Sequence, residues 1–382
     1  MKNGLAKNTT PYTLLKTEQL TEIVQPLLLW YHSQARILPW REDPTPYRVW
    51  ISEIMLQQTR VEAVKPYFER FVTALPTIKD LADVPLDALL KVWEGLGYYT
   101  RARNLQKAAQ QIIACFGGTM PNNYNDLLSL PGIGRYTAGA ISSIAFGQPR
   151  AAVDGNVLRV ITRILANHED IMSAKIKLAI ERELENILPP TQAGDFNQAL
   201  MELGAMICLP KTAAKCPLCP LKQLCLAREQ NIVQELPVKK AKKDRRIEKR
   251  TILLFIDSNR TALTQRPATG LLASMWELPS LDGYVSEKAV FQYAHNLGFT
   301  VNSISLLPAA KHIFSHVEWH MIGYLIKVNP TRTIAETTAA YDMTQVNLLS
   351  KLHWTAKSEL HSAYAIPTAF KAYIDIFTKQ IY

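Results

Sequence analysis

The sequence lacks the long apolar run that a membrane protein needs. No stretch of its 382 residues approaches the about 20 consecutive apolar residues of a membrane span. The first fifteen residues hold no continuous apolar core, no small-residue cleavage pattern and no arginine, which argues against secretion and against import into an organelle. No internal repeat is present. With 48% hydrophobic residues, the chain is long enough for two or three cores, and two domains are the default expectation.

Cysteine is scarce, and its distribution disfavours a disulfide framework. Five cysteines occur, and four of them fall within eighteen residues in the spacing Cys208-x7-Cys216-x2-Cys219-x5-Cys225. Such a group fits a metal or iron–sulfur site in a reducing compartment. A structural zinc site is the alternative, although zinc folds usually pair two knuckles across a longer spacer. Four thiolates in one short loop suit a [4Fe–4S] cluster. The fifth cysteine, Cys115, is expected in the core.

Excess positive charge gives little evidence for a nucleic-acid partner. The formal net charge is +10, but residues 239–250 hold eight Lys or Arg and two acids, which leaves only +4 for the rest of the chain. The stretch from Glu235 to Arg250 also contains Pro237 and breaks the helical periodicity. It is interpreted as a linker that acts as a solvated tether, with contact to a phosphate backbone as the alternative.

Strand patterns are nearly absent before residue 250, where apolar residues recur at helical spacing. This part is predicted to be all helical, with helices at about 17–36, 46–58, 60–74, 86–95, 100–116, 125–130, 136–146, 156–166, 173–187 and 195–207. After the linker, strands are predicted at 251–256 and near 311–328, and helices near 286–297 and 367–379. The expected fold class is multidomain, with an all-α domain followed by an α+β domain.

Residues 130–156 carry a tight turn, a helix and then an acid. Pro131 ends one helix, and Gly132 and Gly134 permit backbone angles that residues with a Cβ resist. Two helices joined so closely form a hairpin, and glycine amides left unpaired near a helix N-terminus suit a phosphate. Asp154 stands just before the next amphipathic helix, where an ordinary N-cap is the alternative role.

This stretch resembles the helix-hairpin-helix DNA glycosylases and, in its specific form, the adenine DNA glycosylase (MutY) family. The resemblance rests on the hairpin LPGIGRYT at 130–137, on DGNV at 154–157 and on WISEIMLQQT at 50–59, and it extends from about Gln34 to about Pro367.

The resemblance implies a set of domain limits. An all-α catalytic region would cover residues 1–230, with a six-helix hairpin lobe at about 36–150 and an iron–sulfur lobe made of about 1–35 and 151–230. A basic interdomain linker would follow at 231–247, and then a MutT-like (Nudix-fold) α+β domain at 248–382.

Two catalytic carboxylates are implied by the same resemblance. Breaking an N-glycosidic bond requires a less anionic departing base and a stabilised oxocarbenium ion, and two carboxylates in different environments can provide both. Glu53 would stay protonated in a desolvated pocket and protonate adenine at N7. Asp154 would stay ionised at a helix start and face C1′ of the sugar. A solvated helix carboxylate is the alternative for Glu53.

Further site residues follow from the family pattern. Tyr136 stands where the endonuclease III group has a Schiff-base lysine, so a monofunctional hydrolytic glycosylase is expected. Tyr136 and Asn156 are expected to support Asp154 by hydrogen bonding. Arg41 and Gln198 are expected to hold the flipped adenine, with a surface helix amide as the alternative for Gln198.

Extrusion of a base leaves a gap in the stack, which a wedge must fill. Gln58 matches the family's intercalating wedge, and so does Tyr98 in the segment WEGLGYY at 93–99. Leu96 and Thr59 are expected near the opposite base. A core position is the alternative for Tyr98, since aromatic residues in such segments usually pack inside.

The cysteine motif implies one [4Fe–4S] cluster with a structural role, held by all four clustered cysteines. The first gap, from Cys208 to Cys216, holds one residue more than the family's usual pattern, so the local path of that loop is expected to differ. Lys211 and Lys215 are placed to reach backbone phosphates.

The C-terminal part resembles the MutT-like domain of the family. The stretch 270–279 is not followed by the acidic cluster with which a working Nudix hydrolase holds magnesium, so pyrophosphate hydrolysis is not expected. Phe314-Ser315-His316 matches the family's loop that recognises 8-oxoguanine. Oxidation turns purine N7 from an acceptor into an N–H donor, which a hydroxyl such as that of Ser315 can read. An exposed hairpin turn is the alternative for Ser315.

The sequence therefore predicts a monofunctional enzyme of base excision repair that hydrolyses the N-glycosidic bond of adenine mispaired with 8-oxoguanine or guanine in duplex DNA. One alternative is an endonuclease III-like pyrimidine glycosylase with lyase activity, which Tyr136 disfavours. Another is a non-catalytic iron–sulfur DNA-binding module, which the presence of both Glu53 and Asp154 disfavours. A monomer with no membrane partner is expected, cytoplasmic and nucleoid-associated if the source is bacterial.

Overall fold

The computed structural model describes residues 17–210, 214–240, 244–330 and 352–379. The chain divides into two units: Met1–Ala82 with Asn104–Ala241, called the helical unit, and Asp83–Arg103 with Lys242–Tyr382, called the sheet unit. The expected fold class, a helical part followed by an α+β part, is confirmed. The domain limits given above stay a prediction. In the described ranges, no helix combines the length and apolarity that crossing a bilayer would require.

The helices before residue 230 follow the predicted positions closely. They are α1 (Thr17–Glu22), α2 (Val24–Gln34), α3 (Pro39–Glu42), α4 (Pro46–Leu56), α5 (Val61–Ala74), α6 (Ile78–Asp83), α7 (Leu86–Val92), α8 (Thr100–Phe116), α9 (Tyr124–Ser129), α10 (Arg135–Ala140), α11 (Gly155–Ile164), α12 (Ala174–Ile187), α13 (Ala193–Met206) and α14 (Leu226–Glu229). Helices α3, α6 and α14 were not predicted; α3 and α14 have only four residues each, which are too few to show a helical period.

One core of the helical unit is made by the apolar faces of α1, α2, α11, α12 and α13. Leu20, Leu27, Ile161, Ile180 and Leu200 are fully buried in it. These residues recur at the spacing of three and four that the sequence shows, so the predicted amphipathic faces pack against one another. This packing fixes the N-terminus of α11 and the middle of α13, which both contribute side chains to the cleft described below.

The sheet unit contains a mixed sheet among its described residues. Its strands are β1 (Arg246–Asp257), β2 (Arg260–Gln265), β3 (Trp276–Glu277), β4 (Ser280–Asp282), β5 (Phe299–Ile313), β6 (Val317–Pro330) and β7 (His353–Ala356). The order is β3-β2-β1-β6-β5, with β4 paired to β1 and β7 paired to β2. β1 and β6 run parallel, while β5 and β6 form an antiparallel hairpin.

Helices cover both faces of this sheet. Ile252, Leu254 and Ile256 of β1 point into a core with α16 (Lys357–Ala363) and α17 (Lys371–Lys379), while Leu253 and Phe255 point into a core with α15 (Glu287–Asn296). A strand buried on both faces is apolar at consecutive positions rather than at alternate ones. This explains the unbroken apolar run that predicted β1.

Two expectations about this part of the chain were wrong. Cys115 is exposed, because the buried face of α8 is carried by residues such as Ala108 and Ile112. The basic stretch is not a tether throughout, since β1 begins at Arg246 and pairs there with Val317. From there on its backbone pairs within the sheet, with the side chains of Arg246 and Lys249 exposed and those of Glu248 and Arg250 partly buried. Residues 1–15 and Lys211, which also carry expectations, lie outside the described residues.

Candidate active site

A cleft of about 700 Å³ in the helical unit brings most of the predicted site residues together. The residues identified from the sequence that line it are Arg41, Glu53, Gln58, Thr59, Gly134, Tyr136, Asp154, Asn156 and Gln198. About a hundred positions separate Glu53 from Asp154 in the chain, yet both side chains face this cleft. The two acids therefore share one cavity, as the proposed chemistry requires.

Glu53 lies on α4, a helix with little contact to solvent. Pro46 occupies its first turn, and the Thr45 side chain caps it by accepting a hydrogen bond from the Arg48 amide at 3.4 Å. The side chain of Glu53 is buried, with 6% of the residue exposed. The pKa of Glu53 is raised to about 7, chiefly by burial; the hydrogen bond from Tyr136 opposes the rise, and the charge of Asp154 adds to it. The alternative of a solvated carboxylate is thereby excluded.

Asp154 occupies the N-cap of α11. Its Oδ1 accepts from the amides of Asn156 and Val157, each at 2.8 Å, and its Oδ2 accepts from the Asn156 side chain at 2.8 Å. The expected hydrogen bond from Asn156 is therefore present. Burial raises the pKa of Asp154 above its ordinary value, and these hydrogen bonds lower it without cancelling the rise. All three donors favour the anion of Asp154, whereas Glu53 accepts a single hydrogen bond, from Tyr136, among the described residues. Asp154 therefore caps α11 and also lines the cleft, so the N-cap role does not exclude a catalytic one.

Tyr136 makes a different contact from the expected one. Its hydroxyl donates a hydrogen bond to Oε2 of Glu53 and also lies 3.6 Å from the sulfur of Met201. The expectation that it hydrogen-bonds Asp154 was wrong, because its one hydroxyl proton is donated to Glu53. Burial and the two nearby carboxyls raise the pKa of Tyr136 well above its ordinary value. It therefore stays a neutral hydrogen-bond donor.

Arg41 and Gln198 meet at the edge of the cleft. Arg41 donates from Nε to the Gln198 side-chain oxygen at 2.9 Å and from Nη2 to Glu202 at 3.0 Å. Arg36 also donates to Glu202, from Nε at 2.6 Å and from Nη2 at 3.0 Å. Despite burial, these two arginines hold the pKa of Glu202 at about 2. Glu202 is thus a fixed anion that orients Arg41, and no sequence pattern indicates this role beyond its position four residues after Gln198.

The hairpin glycines differ from each other. Gly132 has φ of +81°, and a Cβ there would come within 2.8 Å of the Asn104 side chain, so only glycine fits. Gly134 has φ of −96° and open space around it, so the expectation of a special conformation there was wrong. Within the described chain the amides of both glycines lack hydrogen-bond partners. That arrangement leaves them available to a phosphate, as predicted.

Gln58 and Thr59 follow α4 directly at the cleft. Gln58 is exposed and has φ of +59°, a left-handed conformation that ends the helix. The Thr59 amide donates to the Leu56 carbonyl at 3.2 Å and so keeps the turn closed.

Leu96 and Tyr98 belong to the sheet unit. Leu96 is buried at 6% exposure, whereas Tyr98 is exposed at 46%. Tyr98 has φ of +48° and lies between Gly97, also left-handed, and the buried Tyr99. The alternative of a core position for Tyr98 is therefore wrong, because this backbone conformation turns its ring outward.

Ser315 lies in the turn that joins β5 to β6, and it is exposed. The turn is closed by the Phe314 amide, which donates to the Val317 carbonyl at 2.9 Å. The Phe314 ring packs edge-on against Trp319 with 4.9 Å between centroids. The Ser315 hydroxyl itself lies 3.1 Å from Nδ1 of His316. The alternative of an exposed hairpin turn is therefore present in the structure: Phe314 anchors the turn by packing on Trp319, and Ser315 is exposed.

The four clustered cysteines line one small cavity. Arg163, Lys222 and Arg228 line it with them, and Arg163 donates from Nη1 to the Cys208 sulfur at 3.3 Å. The buried Nη2 of Arg163 has no partner among the described residues. Burial raises the pKa of Cys219 to about 12, so a metal centre would have to stabilise its thiolate. No three His, Cys, Asp or Glu side chains of the described residues are placed to hold a single metal ion.

Arg159 is a further residue that sequence reasoning missed. On α11 it donates from Nη2 to the Asn156 side-chain oxygen at 2.9 Å and from Nε to the Cys208 carbonyl at 2.7 Å. It thereby fixes the orientation of Asn156, whose amide group binds Asp154. Its position three residues after Asn156 on one helix face is the signal that was available.

Replacing Tyr136 with Phe should raise the pKa of Glu53 further. The hydroxyl of Tyr136 stabilises the ionised carboxylate, so its removal favours the protonated form. A pH titration of ¹³C-labelled glutamate by NMR would measure the pKa directly, with Glu53→Gln used to assign the signal. Tyr47→Phe serves as the control, because the Tyr47 hydroxyl bonds the Leu75 carbonyl instead. A Glu53 pKa that is lower in Tyr136→Phe than in the wild type would contradict this geometry.

The chain matches two families and several characterised proteins. Residues 51–190 match the HhH-GPD superfamily of base excision DNA repair proteins, and residues 251–375 match the NUDIX domain. The chain is 36% identical over 307 residues to the adenine DNA glycosylase of Buchnera aphidicola subsp. Baizongia pistaciae, which covers 80% of this chain and 86% of that protein. It is 32% identical over 416 residues to the adenine DNA glycosylase of Homo sapiens, which covers 93% of this chain and 73% of that protein.

A solved structure of a thermostable thymine-DNA glycosylase superposes with a TM-score of 0.50 and 30% identity, over 56% of this chain and 98% of that one. The order of an HhH-GPD region followed by a NUDIX-like α+β domain agrees with the fold described above. The protein is therefore a DNA glycosylase that acts on N-glycosyl bonds. Because the identity to both adenine DNA glycosylases extends over at least 80% of its length, the chain belongs to the adenine DNA glycosylase family.

Proposed function

We propose that the protein removes adenine mispaired with 8-oxoguanine, and also with guanine, from duplex DNA by monofunctional hydrolysis of the N-glycosidic bond. The observation that carries this proposal is the pair of carboxyls in one cleft, with Glu53 buried and proton-holding and Asp154 held by donors to its anion. Membership of the adenine DNA glycosylase family supports adenine as the substrate base.

Glu53 acts as the general acid in this mechanism. Adenine is a poor leaving group, and protonation at N7 lets it depart as a neutral base. A carboxyl with a pKa of about 7 is protonated in a large fraction of molecules near neutral pH and can still give up its proton. The hydrogen bond from Tyr136 stabilises the carboxylate that remains after transfer.

Asp154 stabilises the cation that develops on the sugar. As the base leaves, C1′ and the ring oxygen share positive charge, and an anion held rigidly at that face lowers the energy of the transition state. The three donors to Asp154 keep its orientation fixed. Arg41, oriented by Glu202, and its partner Gln198 are proposed to hold the extruded adenine.

A hydrolytic rather than a lyase reaction is supported by the hairpin residue. Tyr136 carries no amine, so it cannot form a Schiff base with the sugar. Lys177 and Lys239 also line the cleft, however, and any transient imine on either would be trapped by borohydride. The proposal therefore includes the expectation that borohydride traps no covalent adduct between the protein and the DNA sugar.

The sheet unit is proposed to read the base opposite the adenine. The exposed hydroxyl of Ser315, at the tip of the β5–β6 turn, suits the N7–H and C8 oxygen of 8-oxoguanine. Tyr98 and Gln58, both exposed and both in left-handed backbone conformations, are proposed to fill the stack, with Leu96 and Thr59 near the lesion. Gly132 and Gly134 are proposed to bind a backbone phosphate through their amides.

A [4Fe–4S] cluster is the proposed cofactor of the cysteine loop. The donor set of four cysteines and the three cations beside them suit an anionic thiolate cluster. Cys208, Cys216, Cys219 and Cys225 would hold it. When bound, such a cluster supplies a rigid cross-link within the loop. Lys215, which is exposed next to Cys216, is proposed to reach a phosphate.

Substitution of Glu53 by Gln should abolish adenine release while duplex binding stays nearly unchanged. Glutamine keeps the shape but has no acidic proton to transfer, so single-turnover rates should fall at least about 100-fold. The measurement uses duplexes that hold adenine opposite 8-oxoguanine, guanine or cytosine, with and without alkali. For the wild type, breaks should appear only after alkali, and the rate should fall as pH rises through about 7, where Glu53 loses its proton. Wild-type turnover in Glu53→Gln would refute the acid role.

Ser315→Ala should reduce the preference for 8-oxoguanine over guanine. Loss of one hydrogen bond at the lesion corresponds to a change of about three- to tenfold in the ratio of the two rates. Ser362→Ala is a matched control, because Ser362 is an exposed serine of α16 in the same unit. An equal loss of rate on both pairs would count against lesion recognition by Ser315.

Purified protein should contain iron and acid-labile sulfide in equal amounts, without stoichiometric zinc. Cys219→Ser should lose most of the iron, because it removes a ligand that lines the cavity. Cys115→Ser should keep the full content, since this cysteine is exposed elsewhere on the surface. Stoichiometric zinc without iron in the wild type would overturn the cluster.

A further inference from the structure

The loop that carries Leu96 and Tyr98 has a strained backbone. Gly95 has φ of +98°, Gly97 of +69° and Tyr98 of +48°. A left-handed conformation at a large aromatic residue is costly, and it persists only where the surroundings impose it. Some feature of the sheet unit must therefore hold this loop, and the contacts on its two sides show what does.

From the inside, the loop is held by two buried side chains. Arg101 donates from Nη2 to the carbonyls of Leu96 and Gly97, each at 3.1 Å, and its guanidinium lies 5.5 Å from the centre of the Tyr98 ring. Trp93 donates from its indole to the Gly97 carbonyl at 3.1 Å. These bonds fix the path of the loop but do not connect it to the β-strands.

From the outside, an ion pair connects the loop to the C-terminal part of the sheet unit. Lys91 and Glu94 pair at 2.6 Å. Glu94 accepts through Oε1 from the Ile366 amide at 2.9 Å, and Lys91 donates to the Tyr364 carbonyl at 3.0 Å. Oε2 of Glu94 is bound to the Lys91 ammonium group, whereas Oε1 of Glu94 and the ammonium group are each also bound to a backbone group about 270 positions away in sequence.

The strip that receives these contacts is itself tied to the sheet. The Ala365 carbonyl accepts from the amide of Trp276 in β3 at 3.2 Å, and the Tyr364 ring packs edge-on against Trp276 at 5.1 Å. At the start of α8, Arg103 adds a hydrogen bond to the Ala273 carbonyl at 2.6 Å. Residues 83–103 therefore lie within the HhH-GPD match by sequence but belong with the sheet by contact.

We propose that Glu94, paired with Lys91, is a positioning residue that anchors the Leu96–Tyr98 loop to the C-terminal strip 364–366, so that the wedge and the lesion-contacting Ser315 act on the duplex as one body. The proposal rests on the proposed function, which assigns Tyr98, together with Gln58, to the wedge and lesion contact to Ser315; the wedge here means Tyr98, the wedge residue of the sheet unit. Neither Glu94 nor Lys91 touches the reacting atoms. Their effect is to couple insertion of Tyr98 into the stack to the contact between Ser315 and the lesion.

The first test measures hydrogen exchange in the free protein. Glu94→Ala should speed amide exchange in both 93–101 and 364–366, because it frees the Ile366 amide and the loop together. Glu62→Ala is the matched control, since Glu62 and Lys65 form a pair of the same spacing on α5 with the acid exposed. Glu94→Gln keeps an acceptor for the Ile366 amide and should restore part of the protection. Exchange in Glu94→Ala no faster than in Glu62→Ala would overturn the anchor, whether or not the enzyme repairs 8-oxoguanine pairs.

The second test is a double-mutant cycle on the full-length enzyme. The ratio of single-turnover rates on adenine opposite 8-oxoguanine and opposite guanine is measured for Glu94→Ala, Ser315→Ala and both together. If the wedge and Ser315 act as one body, Glu94→Ala lowers the ratio by about tenfold and Ser315→Ala adds little to it. Glu62→Ala combined with Ser315→Ala should be additive. Additive effects of Glu94→Ala and Ser315→Ala would overturn the coupling. If Ser315→Ala alone leaves the ratio unchanged, lesion recognition by Ser315 fails, and the exchange experiment alone decides the anchor.

Discussion

The burial of the Glu53 carboxyl is the constraint on which the site depends. An ionised carboxyl buried without donors is costly, so the group responds by keeping its proton. Its helix is buried on almost every side, and Tyr136 supplies a hydroxyl that prevents the proton from being held too tightly. Asp154 shares the cleft and is also shielded from water, yet its three hydrogen bonds all favour the anion. Two identical functional groups thus acquire opposite roles from the donors around them, which is what acid-assisted departure of a base and stabilisation of a sugar cation need.

The residues identified from the sequence are divided between the two units by their roles. The helical unit contains the residues proposed to act on the adenine nucleotide, which are Glu53, Asp154, Tyr136, Asn156, Arg41 and Gln198. Those proposed to contact the stack or the lesion, Leu96, Tyr98 and Ser315, belong to the sheet unit, while Gln58 and Thr59 lie on the helical side. Chemistry is therefore built on packed helices with a fixed cleft. The residues proposed to recognise the partner base lie on a turn and on a strained loop, and both are held by the sheet. Catalysis and lesion recognition are therefore each supported by a packed part of the chain.

Helical periodicity is a local pattern and predicted the helices, whereas the resemblance to the glycosylase family implied that Glu53 and Asp154 share a cleft. Helical periodicity located α4 and α11, and the motifs around them located Glu53 and Asp154. What failed depended on contacts between distant segments. The partner of Tyr136 is decided by how α10 packs on α4, and Glu202 acquires its role only when Arg36 and Arg41 approach it from another helix. Gly134 needed no special conformation, since the turn is made by Gly132, where a Cβ would strike Asn104. No single-segment pattern contains this information.

The basic stretch shows how such long-range pairing changes the meaning of composition. From composition alone, residues 239–250 are expected to be a solvated run of charged residues, but from Arg246 onward the backbone pairs in register with β6. That pairing brings Arg245 within 3.2 Å of the Phe314 carbonyl and the Arg246 amide within 3.3 Å of the His316 carbonyl. Both carbonyls flank Ser315, so backbone groups on either side of the turn are satisfied within the protein while its hydroxyl faces outward. A stretch whose composition resembles a tether therefore helps to hold the turn that carries Ser315, which we propose recognises the lesion. Its structural role comes from its pairing with β6 rather than from its charge.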